Sequence, residues 1–176
     1  MQLVTFGKVY LTSCDFSRPK PLLLLSYLTL EGPQERRKLA ELFWQGDQSD
    51  KKALQKKLGK LSVVLAQFKK EGAADAFPNK PGLDPIPSQV ACDASKFLEA
   101  LENNDLEGAL ELYQGPFLHD LGKSLAGLDV SSGIEDWVLE TRESFAQKAQ
   151  GAMIGLAERA FEIGDVKAAK AWAEKA

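Results

Sequence analysis

Apolar and polar positions alternate loosely at the start of the chain. In Gln2–Leu11 the run LVTFGKVYL carries β-branched and aromatic residues around Gly7, which predicts a short hairpin or bent strand. Pro19 and Pro21 follow at positions where a helix can begin, and LLLLSYLTL runs to the stop signal Glu31-Gly32-Pro33. This predicts a helix over Lys20–Leu30, apolar nearly all round and therefore central. A second helix is predicted over Gln34–Trp44, with Leu39, Ala40, Leu42, Phe43 and Trp44 inward and Arg36, Arg37 and Lys38 near its start. QGDQSD then reads as a turn in which Ser49 or Asp50 caps the next helix.

That next helix is KKALQKKLGKLSVVLAQFKK, Lys51–Lys70. At 100° per residue, Leu54, Leu58, Leu61, Leu65 and Phe68 lie within about 40° of one line. Lys52, Lys56, Gly59, Lys60, Val63, Gln67 and Lys70 lie opposite. The stretch from Gly72 to Ser88 holds Pro78, Pro81, Gly82, Pro85 and Pro87, so it is not helical. It leaves room for two short strands, near Ala74–Phe77 and Gln89–Cys92. From Asp93 onward the pattern is helical: Ala94–Asn103, Leu106–Tyr113, Ile134–Ala149 or beyond, Ala152–Ile163 and Val166–Ala176. ENNDLEGALELY and EIGDVKAAKAWAEKA both place an Asp N-cap after a polar turn, in the manner of tetratricopeptide-type helix pairs.

Charge sharpens this division. The 176 residues carry a formal net charge of −3, yet residues 1–72 hold 13 Lys/Arg against 7 Asp/Glu, and residues 73–176 hold 9 against 18. Lys51–Lys70 alone has seven lysines and no carboxylate. Such asymmetry points to two modules, residues 1–92 and 93–176, with different partners. The apolar runs are too short for a membrane span, and MQLVTFGKVYL has no secretory pattern. Cys14 and Cys92 have no metal spacing and read as buried free thiols of a cytoplasmic protein.

Catalytic chemistry finds little footing. The single histidine, His119, stands beside Asp120 in FLHDLG, and no phosphate loop, nucleophile elbow or metal-ligand spacing is present. The reading is a non-enzyme without a cofactor. Trp44, Trp137 and Trp172 sit at helical spacings among apolar neighbours and read as packing residues. The basic helix differs in kind. A core helix, a tight turn, a second helix and a basic amphipathic third helix follow helix-turn-helix order, and flanking strands make that a winged helix. In such a unit Gln55 can hydrogen-bond a base edge, Val63 can touch a thymine methyl, and lysines neutralise phosphates.

Two segments carry a family likeness. RPKPLLLLSYLTLEGP followed by ERRKLAELFWQGDQSDKKALQKKLGKLSVVL resembles the OmpR-type winged-helix DNA-binding domain of SARP-type bacterial transcriptional activators. DASKFLEALENNDLEGALELYQGPFLHDL followed by EDWVLETRESFAQKAQGAMIGLAE resembles the bacterial transcriptional activator domain that follows it, with Tyr113–Leu118 and the Trp137…Arg142 spacing the most specific parts. The resemblance implies a mainly α fold with a little β, a winged helix-turn-helix followed by an all-α tetratricopeptide-like domain. It implies contacts to double-stranded DNA by Lys51, Lys52, Gln55, Lys56 and Lys60, with Arg36 and Arg37 on the backbone and a wing over about Ala74–Cys92. It further implies RNA polymerase contact or a homodimer through the second module. Gly59, mid-helix on the exposed face, either lets the backbone approach DNA or marks a weakened reader. A different reading keeps the helical repeats as a protein-interaction adaptor whose winged helix no longer reads sequence. VKAAKAWAEKA ends without a cap, which suggests that a further C-terminal domain follows in a longer protein.

Overall fold

A computed structural model describes residues 1–45, 51–78, 82–121 and 125–176. Two strands open it, β1 (Gln2–Val4) and β2 (Tyr10–Leu11), paired antiparallel with Leu3 opposite Leu11. Both leucines are buried. Gly7 turns the chain at φ 74°, and a Cβ there would sit 3.5 Å from the Gln114 carbonyl oxygen. Three helices follow: α1 (Pro19–Glu31), α2 (Arg36–Phe43) and α3 (Lys51–Lys70). The α1 prolines occupy its first turn, where a missing N–H costs nothing, and Gly32 ends it at φ 74°. Leu22 to Leu25 are all buried, so α1 is enclosed on every side as its sequence predicts.

The third strand, β3 (Ala91–Cys92), lies parallel to β1, giving the order β2-β1-β3. The helices α4 (Asp93–Glu102), α5 (Leu106–Leu112), α6 (Ser132–Glu162) and α7 (Val166–Ala173) complete the chain, with α5 packed on α4, α6 on α5 and α7 on α6. Asp105 and Asp165 cap α5 and α7 by accepting the N–H groups of Gly108 and Ala168. The protein is mainly helical with one small sheet.

Three expectations need correction. The strand expected at Ala74–Phe77 is a single 3₁₀ turn, Ala74–Ala76. Its alanines have no β-branch to fill a pleat. Instead Ala73 and Ala76 are fully buried, and Phe77 packs edge-on against Phe68 at 5.0 Å. β3 therefore pairs with β1 and makes no hairpin with it. Asn79–Pro81 of the expected wing lie outside the described residues, as does the expected Ser49 or Asp50 cap. The helices read separately as Ile134–Ala149 and Ala152–Ile163 are one helix, α6, because Gly151 sits on its exposed side where nothing depends on a side chain. Finally, the buried line of α3 is Lys57, Leu61, Val64 and Phe68, while Leu54, Leu58 and Leu65 are half-buried. That is a rotation of about 50° from the leucine stripe at 100° per residue. The leucine flank is less covered because Leu65 lines an open cleft of about 870 Å³ between α3 and the following segment.

One apolar cluster runs from Leu3 through Phe68 to Ala149, across residue 92 without a break. Phe6 is its clearest link. Its ring meets Phe97, Tyr113, Phe117 and Phe145 edge-on at centroid distances of 5.5, 5.0, 6.5 and 5.1 Å. Backbone bonds follow the same path: Gly7 N–H to Pro116 O at 3.0 Å and Leu118 N–H to Thr5 O at 2.8 Å. Asp93, buried at the start of α4, accepts the Thr5 and Phe6 N–H groups and the Thr5 hydroxyl, at 2.6–3.0 Å. A carboxylate at a helix N-terminus is favoured by the helix dipole, and here every buried partner is satisfied.

Candidate nucleic-acid interface

The outward face of α3 carries Lys51, Lys52, Gln55, Lys56, Gly59 and Val63, all exposed. Val63 is 60% exposed. A Cβ on Gly59 would meet nothing within 4 Å, so no neighbour in the fold requires a glycine there. Six of the seven lysines reach the surface. Lys57 is 5% exposed, on the side turned to the core; at 100° per residue it lies about 60° from the leucine line, off the outward face. Lys51 and Lys56 form no ion pair among the described residues.

The two arginines expected on a DNA backbone are engaged within the fold. The Arg36 guanidinium donates to the Ser62 hydroxyl at 2.9 Å, which ties α2 to α3. Its backbone N–H donates to Asp84 Oδ1 at 2.9 Å. Gln34 and Ile86 exchange backbone bonds of 3.1 and 2.8 Å alongside. The turn before α2 is thus closed onto the segment after α3. Arg37 pairs with Glu41 one turn on, at 2.9 Å, with a largely exposed side chain.

Lys60 stands on the flank of the basic face. Its ammonium lies 3.4 Å from Asp129 Oδ2. Beside it, Lys20 at the start of α1 donates to the carbonyls of Leu128 and Asp129, both at 2.8 Å, and its ammonium sits 4.7 Å from the centre of the Trp44 ring. Burial lowers the Lys20 pKa to about 8; the Asp129 charge opposes that shift and Lys60 adds to it. Neither Lys20 nor Asp129 stands out in the sequence. Their contact spans 109 positions and belongs to no local motif.

The remaining reactive groups are accounted for by packing. Burial, and then the neighbouring Asp93, push the Cys92 thiol up to about 11, which keeps it protonated and poorly nucleophilic. The Asp120 carboxylate accepts the Val9 N–H, and His119 beside it is exposed. Trp137 donates to Glu31 at 2.8 Å and packs on Tyr27 and Phe117. Arg142 donates to the Phe117 and Leu118 carbonyls at 2.9 and 3.1 Å. Among the described residues no three His, Cys, Asp or Glu side chains gather as metal ligands would, and no helix is long and apolar enough to cross a membrane.

No protein-family model matches the chain, and no curated protein matches it in sequence.

Proposed function

We propose that this protein is a DNA-binding transcriptional regulator of the cytoplasm that engages duplex DNA through α3. The observation that carries the reading is the exposed face of that helix. It is the third of three helices in helix-turn-helix order, with six surface lysines and no carboxylate of its own. Lysines in this arrangement neutralise phosphates and release counterions, while Gln55 and Val63 are the groups that face base edges. Arg36 and Arg37 serve the fold first and the DNA backbone second. The helical module, residues 93–176, is the part that meets RNA polymerase or a second copy. Its share of the negative charge discourages approach to DNA.

Lys51→Ala/Lys56→Ala tests this reading in a mobility-shift titration against salt. Two lost phosphate contacts flatten the slope of log K against log salt by about 2 and weaken binding. An unchanged slope sinks the assignment. The adaptor reading draws on one observation of its own: Phe161, Ile163 and Val166 are 70%, 82% and 66% exposed where α6 meets α7. Absence of duplex binding at low salt, together with capture of a defined protein partner through these residues, selects it instead.

A further inference from the structure

Asp129 is an exposed carboxylate on a segment held by several hydrogen bonds. The segment around it is fastened on three sides to the three-helix unit. From α1, Lys20 donates to the Leu128 and Asp129 carbonyls. Just past α2, Gln45 donates to the Val130 carbonyl at 2.7 Å. The Leu42 carbonyl accepts from both the hydroxyl and the N–H of Ser131. Within this frame Asp129 adopts φ 52°, a left-handed conformation that Asp and Asn tolerate better than most residues. The carboxylate is thereby directed at Lys60 from outside α3, on the flank of the basic face. Lys60 and Asp129 are 44% and 61% exposed, so the pair meets solvent and an incoming anion can reach it.

We infer that Asp129 competes with DNA phosphate for Lys60, so that the helical module tempers the affinity of α3 for DNA. The inference rests on the DNA-binding reading above. An exposed ion pair is weak, so a phosphate displaces it; the competition lowers affinity without abolishing it. The carboxylate acts twice, by occupying Lys60 and by repelling phosphate from the same flank. Neither Lys51 nor Lys56 forms an ion pair with it among the described residues. Lys60 therefore contributes less to binding in the native chain than its exposure suggests.

The test is Asp129→Asn in the full chain, with a short mixed-sequence duplex titrated against salt at mildly acidic pH, where Lys20 stays charged. Asn retains the shape and the left-handed backbone, so the fold is preserved. The expected result is binding about threefold to tenfold tighter at low salt, with a slope steeper by about 0.9, one added phosphate contact. In a Lys60→Ala background the same change should lose the added slope. If the native chain binds the duplex and Asp129→Asn leaves affinity and slope unchanged, the competition is refuted while the DNA reading stands. A gain that persists undiminished in the Lys60→Ala background also refutes it. If neither native chain nor variant binds at low salt, the DNA reading falls and takes this inference with it. Binding by the variant alone supports both.

Discussion

The two longest helices, α3 and α6, solve the same packing problem and differ in what they turn outward. Each buries one line of residues: Lys57, Leu61, Val64 and Phe68 on α3, and Ile134, Val138, Phe145, Ala149, Ala152, Leu156 and Ala160 on α6. Outward, α3 presents lysines and no acid. α6 presents both signs, with acids in the majority and the exposed apolar residues Leu139, Ile154 and Phe161 among them. Folding constrains the inner lines and leaves the outer faces almost free, since exposed charges add little stability. A one-signed outer face is therefore the more informative of the two. The mixed face of α6 is what solubility alone would produce, apart from the apolar cluster at its far end.

One continuous apolar core holds both helices, and Phe6 is the residue whose loss should cost it most. Its ring sits against Phe145 of α6 and against Phe97 of α4. Phe6→Ala should cost about 3–5 kcal/mol, the usual range for removing a buried aromatic. Urea unfolding followed by tryptophan fluorescence and by helical circular dichroism checks this. Because the apolar cluster is continuous, both signals should shift together in one transition. Two separated transitions would mean that α3 and α6 belong to cores that melt independently.

Lys20 sits where the surroundings of the two helices meet, between Lys60 of α3 and the segment leading into α6. Its pKa in the folded protein, about 8, is below the ordinary value of 10.5. Between these values the unfolded chain binds more protons than the folded one, so stability must rise with pH across that window. Below pH 8 the full cost of holding the charged form half-buried is present; above 10.5 it is gone. Solvent screening limits the gain to the order of 1 kcal/mol. The difference in unfolding free energy between the native chain and Lys20→Gln isolates it from other titrating groups. That difference should move toward the native chain as pH rises through the window. A flat difference would mean that Lys20 is as well solvated as in the unfolded chain.

What the sequence disclosed follows from the range of the interactions involved. The bounds of α3, the turn at Gly7 and the Asp105 and Asp165 caps rest on contacts within a few residues, and all are as read. The buried line of α3 is misjudged by about 50° at 100° per residue. Which flank is covered depends on how α1 and α2 pack on it and on where the open cleft lies, and neither is local. The α6 break is misread because an exposed Gly151 costs only about 1 kcal/mol against alanine, too little to end a helix that buries seven side chains. Of the candidate site, the exposed face from Lys51 to Val63 is legible from period and charge. The engagement of Arg36 with Ser62 and of Lys60 with Asp129 is not, because sequence gives exposure by pattern but not the partner a side chain finds.

The smallest expected effect concerns Gly59, a helical glycine on the outer face of α3. A glycine inside a helix sacrifices stability through the greater freedom of the unfolded backbone. No neighbour here would collide with a Cβ, so Gly59→Ala should raise unfolding free energy by about 0.5–1 kcal/mol. Had the glycine been required for packing, the sign would be reversed, and thermal unfolding distinguishes the two. The same variant asks what the face is for. If α3 approaches DNA only through lysine side chains, a methyl group between Gln55 and Val63 leaves affinity and salt slope unchanged. If the backbone itself comes close to the duplex, affinity falls at constant slope, because a steric loss releases no counterions. We expect the second result. A gain in stability coupled to a loss of affinity is the signature of a residue kept for contact, at a position where no neighbour in the fold requires it.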